Sequence, residues 1–420
     1  MNNIFNVTRI MATLGLTLTL VQPVLAATSF SGLGLLPGYL QGYSSAISAD
    51  GSVIVGYGEG YNPAINGTIT EAFRWTQAGG LQSLGFFPQS NSFKSTRAID
   101  VSSDGSVIVG SGRSAADVDQ AYRWTQATGI VGIGDLPGSR FSSRAAGVSS
   151  DGSVIVGNGS SSKGDEAFRW TSTNGMVGLG GLSGGQAITN GAPLSWAGGV
   201  SDDGQVVIGG ANFQDGTLLQ SQPFRWTAES GMVGLGSLPG GSTSYGGSAS
   251  AISGDGSTIV GYSQSILGSE IFRWTAETGM VGLGIVGSAL ATSFDGSVIV
   301  GDYINTAGGL NYSEGFVWDE VNGLRSIREV ISDEGIDVTS WASLGSVTGV
   351  SADGLTITGV GFKLDGGFVT PGHGPNAHAE PWVMHLAPIP EPSEALMLLA
   401  GLSLIIYRSR KAGSSQRGNQ

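Results

Sequence analysis

Three residue types recur at spacings that could carry chemistry: an Asp followed by Gly, an Arg inside an aromatic triplet, and a late trio of histidines. The Asp-Gly pairs start at Asp50, Asp104, Asp151, Asp203, Asp255, Asp295 and Asp353. Carboxylates on turns suggest calcium, above all in Asp202-Asp203-Gly204. A calcium loop gathers oxygen ligands at alternate positions, however, and most copies here offer one Asp alone. Asp-Gly between β-forming residues reads better as a type I′ hairpin turn, in which Gly supplies φ > 0. Arg74, Arg123, Arg169, Arg225 and Arg273 could form a ring for an anionic polysaccharide. Recurrence at one position favours a structural role instead, each Arg pairing with a neighbouring carboxylate. His373, His378 and His385 lie close together, but no His-Glu-x-x-His helix accompanies them. No metal site and no cofactor is expected.

Aromatic residues outside the recurring positions are the better ligand candidates: Tyr39, Tyr43, Tyr61, Phe87, Phe93, Trp196, Tyr245, Tyr303, Tyr312 and Trp341. Rings on loops of a rigid scaffold can stack on sugar faces. Tyr61, Trp196, Tyr245, Tyr312 and Trp341 are taken as the ligand-binding set. No nucleophile elbow, phosphate-binding loop or dinucleotide fingerprint stands in its required context. Paired carboxylates for glycoside chemistry would come from distant segments and leave no linear motif.

The elements that must position these residues come from a cassette of about fifty residues, a period that indicates repeat architecture. Each copy runs from Asp-Gly through an apolar segment to a Phe-Arg-Trp-like triplet, then to a Gly-Met-Val-Gly-Leu-Gly-like run. Trp75, Trp124, Trp170, Trp226, Trp274, Trp318 and Trp382 follow in phase. In the third copy, Val154-Ile155-Val156 lacks polar alternation and reads as a strand buried on both faces. Phe168 and Trp170 alternate with Ala167 and Arg169. Each copy thus predicts four short strands and no helix. The chain has 420 residues, 72 of them Gly, with 12% charged and 40% hydrophobic, which suits a turn-rich β protein with a sizeable core.

Four strands per repeat predict an all-β fold: a seven-bladed β-propeller of four-stranded blades over residues 27–387, with an open β-solenoid as the alternative. The last copy reaches Pro388 without its Gly-Leu-Gly strand. Phe30-Ser31-Gly32-Leu33-Gly34 supplies that missing piece at the other end of the chain. The N-terminal strand is therefore expected to close the last blade, removing two exposed sheet edges.

The two ends read as addresses. Residues 1–26 carry Arg9, an apolar run from Met11 to Val21 and a Val24-Leu25-Ala26 site, so a signal peptidase is expected to cut between Ala26 and Ala27. At the other end, Pro390-Glu391-Pro392 precedes an apolar run from Ala395 to Tyr407 and the cations Arg408, Arg410 and Lys411. Over 388–411 this order resembles the PEP-CTERM sorting signal of Gram-negative bacteria; a polar tail, 412–420, follows. The resemblance implies recognition of Pro390, Glu391 and Pro392 by an exosortase, transient inner-membrane association through 395–407, and delivery to the cell surface or extracellular matrix. The alternative is a simple C-terminal membrane anchor.

The repeat itself resembles the HAF-repeat family of bacterial extracellular proteins. The matching triplets are Glu71-Ala72-Phe73, Gln120-Ala121-Tyr122, Glu166-Ala167-Phe168, Gln222-Pro223-Phe224, Glu270-Ile271-Phe272, Glu314-Gly315-Phe316 and His378-Ala379-Glu380. A net charge of −13 excludes a basic nucleic-acid face, and the absence of Cys excludes disulfides and thiolate metal sites. The reading that unites these features is a secreted, non-enzymatic scaffold that binds exopolysaccharide or a surface protein. A propeller-based polysaccharide lyase or glycosidase, and a self-associating surface-layer component, are the alternatives.

Overall fold

The computed structural model describes residues 27–63, 66–88, 94–138, 140–182, 194–215, 218–241, 246–306, 312–364 and 377–387. The chain divides into two units. Thr28–Leu386 holds every strand found among the described residues; of the other, Met1–Ala27 with Ala387–Gln420, only Ala27 and Ala387 are described. The signal-peptide residue Ala26 and the sorting residues Pro390, Glu391, Pro392, Arg408, Arg410 and Lys411 lie outside the described residues.

Strand β1 (Ser29–Gly32) is followed by antiparallel groups of four. The first is β2 (Gln41–Ile47), β3 (Val53–Asn62), β4 (Gly67–Thr76) and β5 (Gly80–Gly85). The second is β6 (Thr96–Val101), β7 (Val107–Arg113), β8 (Asp119–Thr125) and β9 (Gly129–Gly132). The third is β10 (Ser143–Val148), β11 (Val154–Ser161), β12 (Gly164–Thr171) and β13 (Gly175–Gly178). The fourth is β14 (Ser195–Val200), β15 (Val207–Asp215), β16 (Leu218–Thr227) and β17 (Gly231–Gly234). The fifth is β18 (Gly247–Ile252), β19 (Thr258–Ser265), β20 (Gly268–Thr275) and β21 (Gly279–Thr292). The long β21 runs on as the first strand of the sixth group, with β22 (Val298–Asn305), β23 (Tyr312–Asp319) and β24 (Gly323–Ser326). This shared strand explains the shortest Asp-Gly spacing, from Asp255 to Asp295, because no loop separates the two groups. Helix α1 (Ile327–Asp333) precedes the last group: β25 (Trp341–Val350), β26 (Thr356–Leu364), β27 (Ala377–His385) and the returning β1. The architecture is an all-β propeller.

Closure occurs as the sequence predicts. β1 pairs antiparallel with β27, Ser29 opposite His385 and Gly32 opposite Trp382. Backbone hydrogen bonds then link the groups around the axis at each Asp-Gly, through the residue before it or, at Asp255, through the Asp itself. Ala49 N–H donates to Ser103 O at 3.2 Å, Ser103 to Ser150 at 3.1 Å, Ser150 to Asp202 at 3.0 Å and Asp202 to Gly254 at 3.1 Å. Asp255 N–H donates to Phe294 O at 3.1 Å, Phe294 to Ala352 at 3.1 Å, and Ala352 back to Ala49 at 2.8 Å. Seven links complete the circle.

Each Val-Ile-Val strand packs on both sides, which is why it carries no polar alternation. Ile155 meets Phe168 of its own group and Val107 and Val109 of the group before it. Val154 and Val156 meet Ala197, Val207 and Phe224 of the group after it. Each such side chain, fully buried, contributes about 1.5–3 kcal/mol.

Three expectations are corrected. The Asp-Gly turns are not type I′, because only Gly has φ > 0 (+72° at Gly51, +69° at Gly152) and Asp does not. Instead Gly51 N–H bonds Ser48 O three residues back, at 2.9 Å. The Ser two residues before each Asp fixes this geometry. Ser149 Oγ donates to Asp151 Oδ1 at 2.8 Å and accepts from Val154 N–H at 3.0 Å, while Ser153 N–H donates to the same Asp oxygen at 2.9 Å. The same three bonds hold in the first turn and the last. Second, Trp382 does not occupy the recurring Trp position. It faces Gly359 as Phe73 faces Gly56, so Glu380-Pro381-Trp382 is the true counterpart of Glu71-Ala72-Phe73, two residues beyond the expected triplet. Third, α1 interrupts the sixth copy. Ser326 and Glu329 form a reciprocal capping box, and Ile327, Val330 and Ile331 are buried, so helical spacing wins locally.

Candidate functional site

The recurring polar residues turn out to hold the fold. The Glu or Gln of four triplets reaches the outer strand: Glu166 Oε2 accepts from Gly180 N–H at 2.7 Å, Gln222 Oε1 from Gly236 at 3.0 Å, Glu270 Oε1 from Gly284 at 2.8 Å and Glu380 Oε1 from Gly34 at 3.2 Å. This explains the Gly-x-Gly run. The first Gly leaves room, since a Cβ at Gly178 would lie 2.8 Å from the Glu166 carboxylate oxygens. The second donates the N–H and takes φ of +73° at Gly180. Of the five recurring Arg, none joins an ion pair among the described residues. The expected carboxylate partner is replaced in Arg169 by the Gly204 carbonyl of the next turn, which accepts from Nε at 3.3 Å and Nη2 at 3.1 Å.

His378 and His385 are also placed. His378 Nε2 lies 3.0 Å from Glu380 Oε2, and His385 Nδ1 lies 3.2 Å from Thr356 Oγ1. His373 lies outside the described residues. No group of three or more metal-ligating side chains occurs among the described residues.

The departures from the repeat gather in two places. One is the central channel, a cavity of about 340 Å³ lined by the inner strands β2, β6, β10, β14, β18, β21 and β25. Small residues dominate its wall, but two copies place a carboxylate there. Asp100 stands where the other copies have Ala46, Gly147, Gly199, Ala251, Ala291 and Gly349. Asp202 stands beside its Asp-Gly where others have Ala, Ser, Gly or Phe. Asp100 Oδ1 accepts from Val101 N–H and Oδ2 from Val148 N–H of the next group, both at 2.8 Å. Burial raises its pKa to about 7 against those two hydrogen bonds, and the charge of Asp202 adds to the rise. Asp202 is also raised, by burial and then by the charges of Asp203 and Asp255.

The other is the rim at the far end of the inner strands, seven residues ahead of each turn Asp and about 20 Å along the strand from it. The residues there are Tyr43, Arg97, Arg144, Trp196, Ser248, Ser288 and Ser346. Four successive copies carry aromatic or cationic groups; the other three carry Ser. Tyr43 stacks on Tyr57 at 5.1 Å between ring centroids. The Arg97 guanidinium lies 4.8 Å over the other ring, that of Tyr57, and pairs with Glu59 at 2.9 Å. Arg144 pairs with Asp119, which Arg113 also approaches at 3.4 Å. Trp196 Nε1 donates to Ser248 Oγ at 2.9 Å, linking the two halves of the rim. Burial, with Glu59 and Tyr57 nearby, raises the Tyr43 pKa, so its hydroxyl stays a hydrogen-bond donor.

Of the aromatic residues singled out from sequence, Tyr61 and Tyr312 are exposed, at 55% and 45%. Trp196 belongs to the rim. These three stand on the first, sixth and fourth groups, so the structure does not bring them together. Trp341 is no loop ring: it is 6% exposed and packs edge-on against Phe30 at 5.6 Å, because the β1 closure needs a wide apolar partner there. Tyr245 lies outside the described residues. Sequence reasoning missed Arg97, Arg144 and Tyr57 as rim residues and Asp100 as a channel residue. Aligning the copies on Asp-Gly would have exposed three of them, since Arg97 and Arg144 share Tyr43's place and Asp100 breaks a small-residue column.

No family model matches the chain. No curated protein matches it either. Among solved structures, it is similar to TolB from Acinetobacter baumannii (16% identity, 66% of this chain and 64% of that one, TM-score 0.44), so it spans less than two thirds of that protein. It is also similar to the β-propeller domain of the Trilobed protease from Pyrococcus furiosus (10% identity, 78% and 96%, TM-score 0.49). A third similarity is to the Pyrococcus horikoshii acylaminoacyl peptidase (10% identity, 83% and 53%, TM-score 0.48).

Proposed function

We propose that this protein is a secreted, exosortase-sorted propeller of seven blades that acts as a non-enzymatic binding scaffold for exopolysaccharide in the extracellular matrix. The observation that carries the reading is the rim, where the repeat gives way to Tyr43, Arg97, Arg144 and Trp196 on four successive inner strands. Stacked rings beside paired charges and hydroxyls suit a sugar, whose C–H face packs on an aromatic and whose hydroxyls both donate and accept.

The test is to incubate the exported protein with exopolysaccharide from the producing cells, measuring binding and glycan chain length in the same tube. Saturable binding at constant chain length, weakened about tenfold in Tyr43→Ala and Trp196→Ala as for loss of a stacking ring, supports the scaffold. Absence of binding with self-association would point to a surface-layer component instead.

A second reading is favoured by one observation. Asp100 and Asp202 place two carboxylates of raised pKa on one cavity, which is the equipment of an acid–base pair in glycoside cleavage. Shortened glycan chains, abolished by Asp100→Asn and by Asp202→Asn, would establish a glycosidase or lyase.

A further inference from the structure

We propose that the grooves between successive strand groups on the turn face form a repeated binding array for a neutral, linear polysaccharide. This rests on the matrix-polysaccharide reading and names a second surface and the class of chain it takes. The outer strands present Val131, Val177, Val233 and Val281 at 49%, 50%, 49% and 48% exposure. Near-equal exposure at one recurring position means that the same apolar step is built four times around the perimeter. Each Val sits opposite a recurring Arg: Arg123, Arg169, Arg225 and Arg273 respectively.

The groove between the fourth and fifth groups has a volume of about 790 Å³. Val233 and the half-buried Trp274 give it apolar walls, and Arg225 and Arg273 give it planar donors. Arg225 makes no hydrogen bond or ion pair among the described residues, and Arg273 reaches only Thr258 Oγ1, at 3.3 Å. Their two positive charges are matched by Glu277 and Asp295 on the same wall. A groove with no net charge, unspent guanidinium donors, carboxylate acceptors and an indole fits an uncharged sugar better than a polyanion. Repetition fits a polymer: a chain long enough to reach adjacent grooves binds with an effective local concentration that a short oligomer lacks.

The probes are neutral hexose polymers (glucan, mannan and galactan), each in short and long preparations, with alginate as the acidic comparison, titrated against the full exported chain. The expected result is at least about tenfold tighter binding of the long form of one neutral polymer. The triple variant Val177→Ser, Val233→Ser, Val281→Ser should lose that length dependence while keeping its circular dichroism, since these side chains are half exposed. The single variant Arg225→Gln should weaken it. Equal affinity for short and long chains, or length dependence unchanged in the triple variant, overturns the array, and short-chain binding lost in Tyr43→Ala leaves the rim reading standing. Preferential binding of alginate overturns the neutral class. Binding of no polymer at all overturns the array and the matrix reading together.

Discussion

The ring of Phe30, on the first strand, lies 5.4 Å from that of Trp382 on the last, and 5.6 Å from Trp341 beside it. These contacts fasten the circle, because β1 is only four residues long and, among the described strands, pairs with β27 alone. Phe30→Ala should therefore destabilise the protein by about 2 kcal/mol, below the range for a fully buried Phe because Phe30 is partly exposed. Amide exchange should rise first in β1 and β27. Unchanged melting and unchanged exchange in β27 would show that closure does not depend on this ring.

Tyr122 takes the place of Phe in the second group, and its hydroxyl is fully buried without a hydrogen-bond partner. Burial alone pushes its pKa up. A buried hydroxyl with no partner costs about 1 kcal/mol or more. Tyr122→Phe should accordingly stabilise the protein by about that amount in urea unfolding. A loss of stability would mean that the hydroxyl has a partner, such as a water.

The pH profile should show two opposed limbs. Asp104 is held low by the Ser106 N–H and then by the Ser106 and Ser102 hydroxyls, and Asp151 by the Ser153 N–H and the Ser149 hydroxyl. Asp50, Asp203, Asp255 and Asp295 are also lowered. For a lowered carboxylate, stability is present above the unfolded value of 3.8 and lost as pH falls through the folded pKa. Asp100 runs the other way. Its folded pKa of about 7 lies above its unfolded 3.8, so the protonated form is favoured in the fold and stability declines as pH rises between those values. Asp100→Asn should reduce that decline by about 1–2 kcal/mol after allowance for water in the channel, leaving the part due to Asp202, whose pKa is also raised, and leave the acid limb intact. A decline undiminished in the variant would assign it to groups other than Asp100.

Gly178→Ala should cost about 1–3 kcal/mol, because its Cβ would press on the Glu166 carboxylate, which is fixed by Gly180 N–H. In a Glu166→Ala background the same change should cost measurably less. A double-mutant cycle with no coupling would show that Gly178 is there for another reason.

The sequence alone determined the strand repeat, the location of its turns and the closure of the ring by the first strand. These are local or periodic properties: Gly after Asp, Val-Ile-Val between turns, and one missing strand matched by one spare. It gave the wrong turn type because Asp-Gly is shared by several turns, and what chooses between them is the Ser two residues earlier, whose hydroxyl bridges the Asp and the next strand. It placed the seventh triplet two residues early because Trp382 resembles the recurring Trp by type while its pairing with Gly359 puts it in the Phe position. Register is set by turn geometry and the apolar pattern of both paired strands, so the type of a single residue does not fix it. The channel pair Asp100 and Asp202, and the rim of Tyr43, Arg97, Arg144 and Trp196, exist only once the ring has closed. Neighbouring rim residues stand about fifty positions apart in sequence and the channel pair about a hundred, and only the closed circle of seven backbone links brings them to one axis.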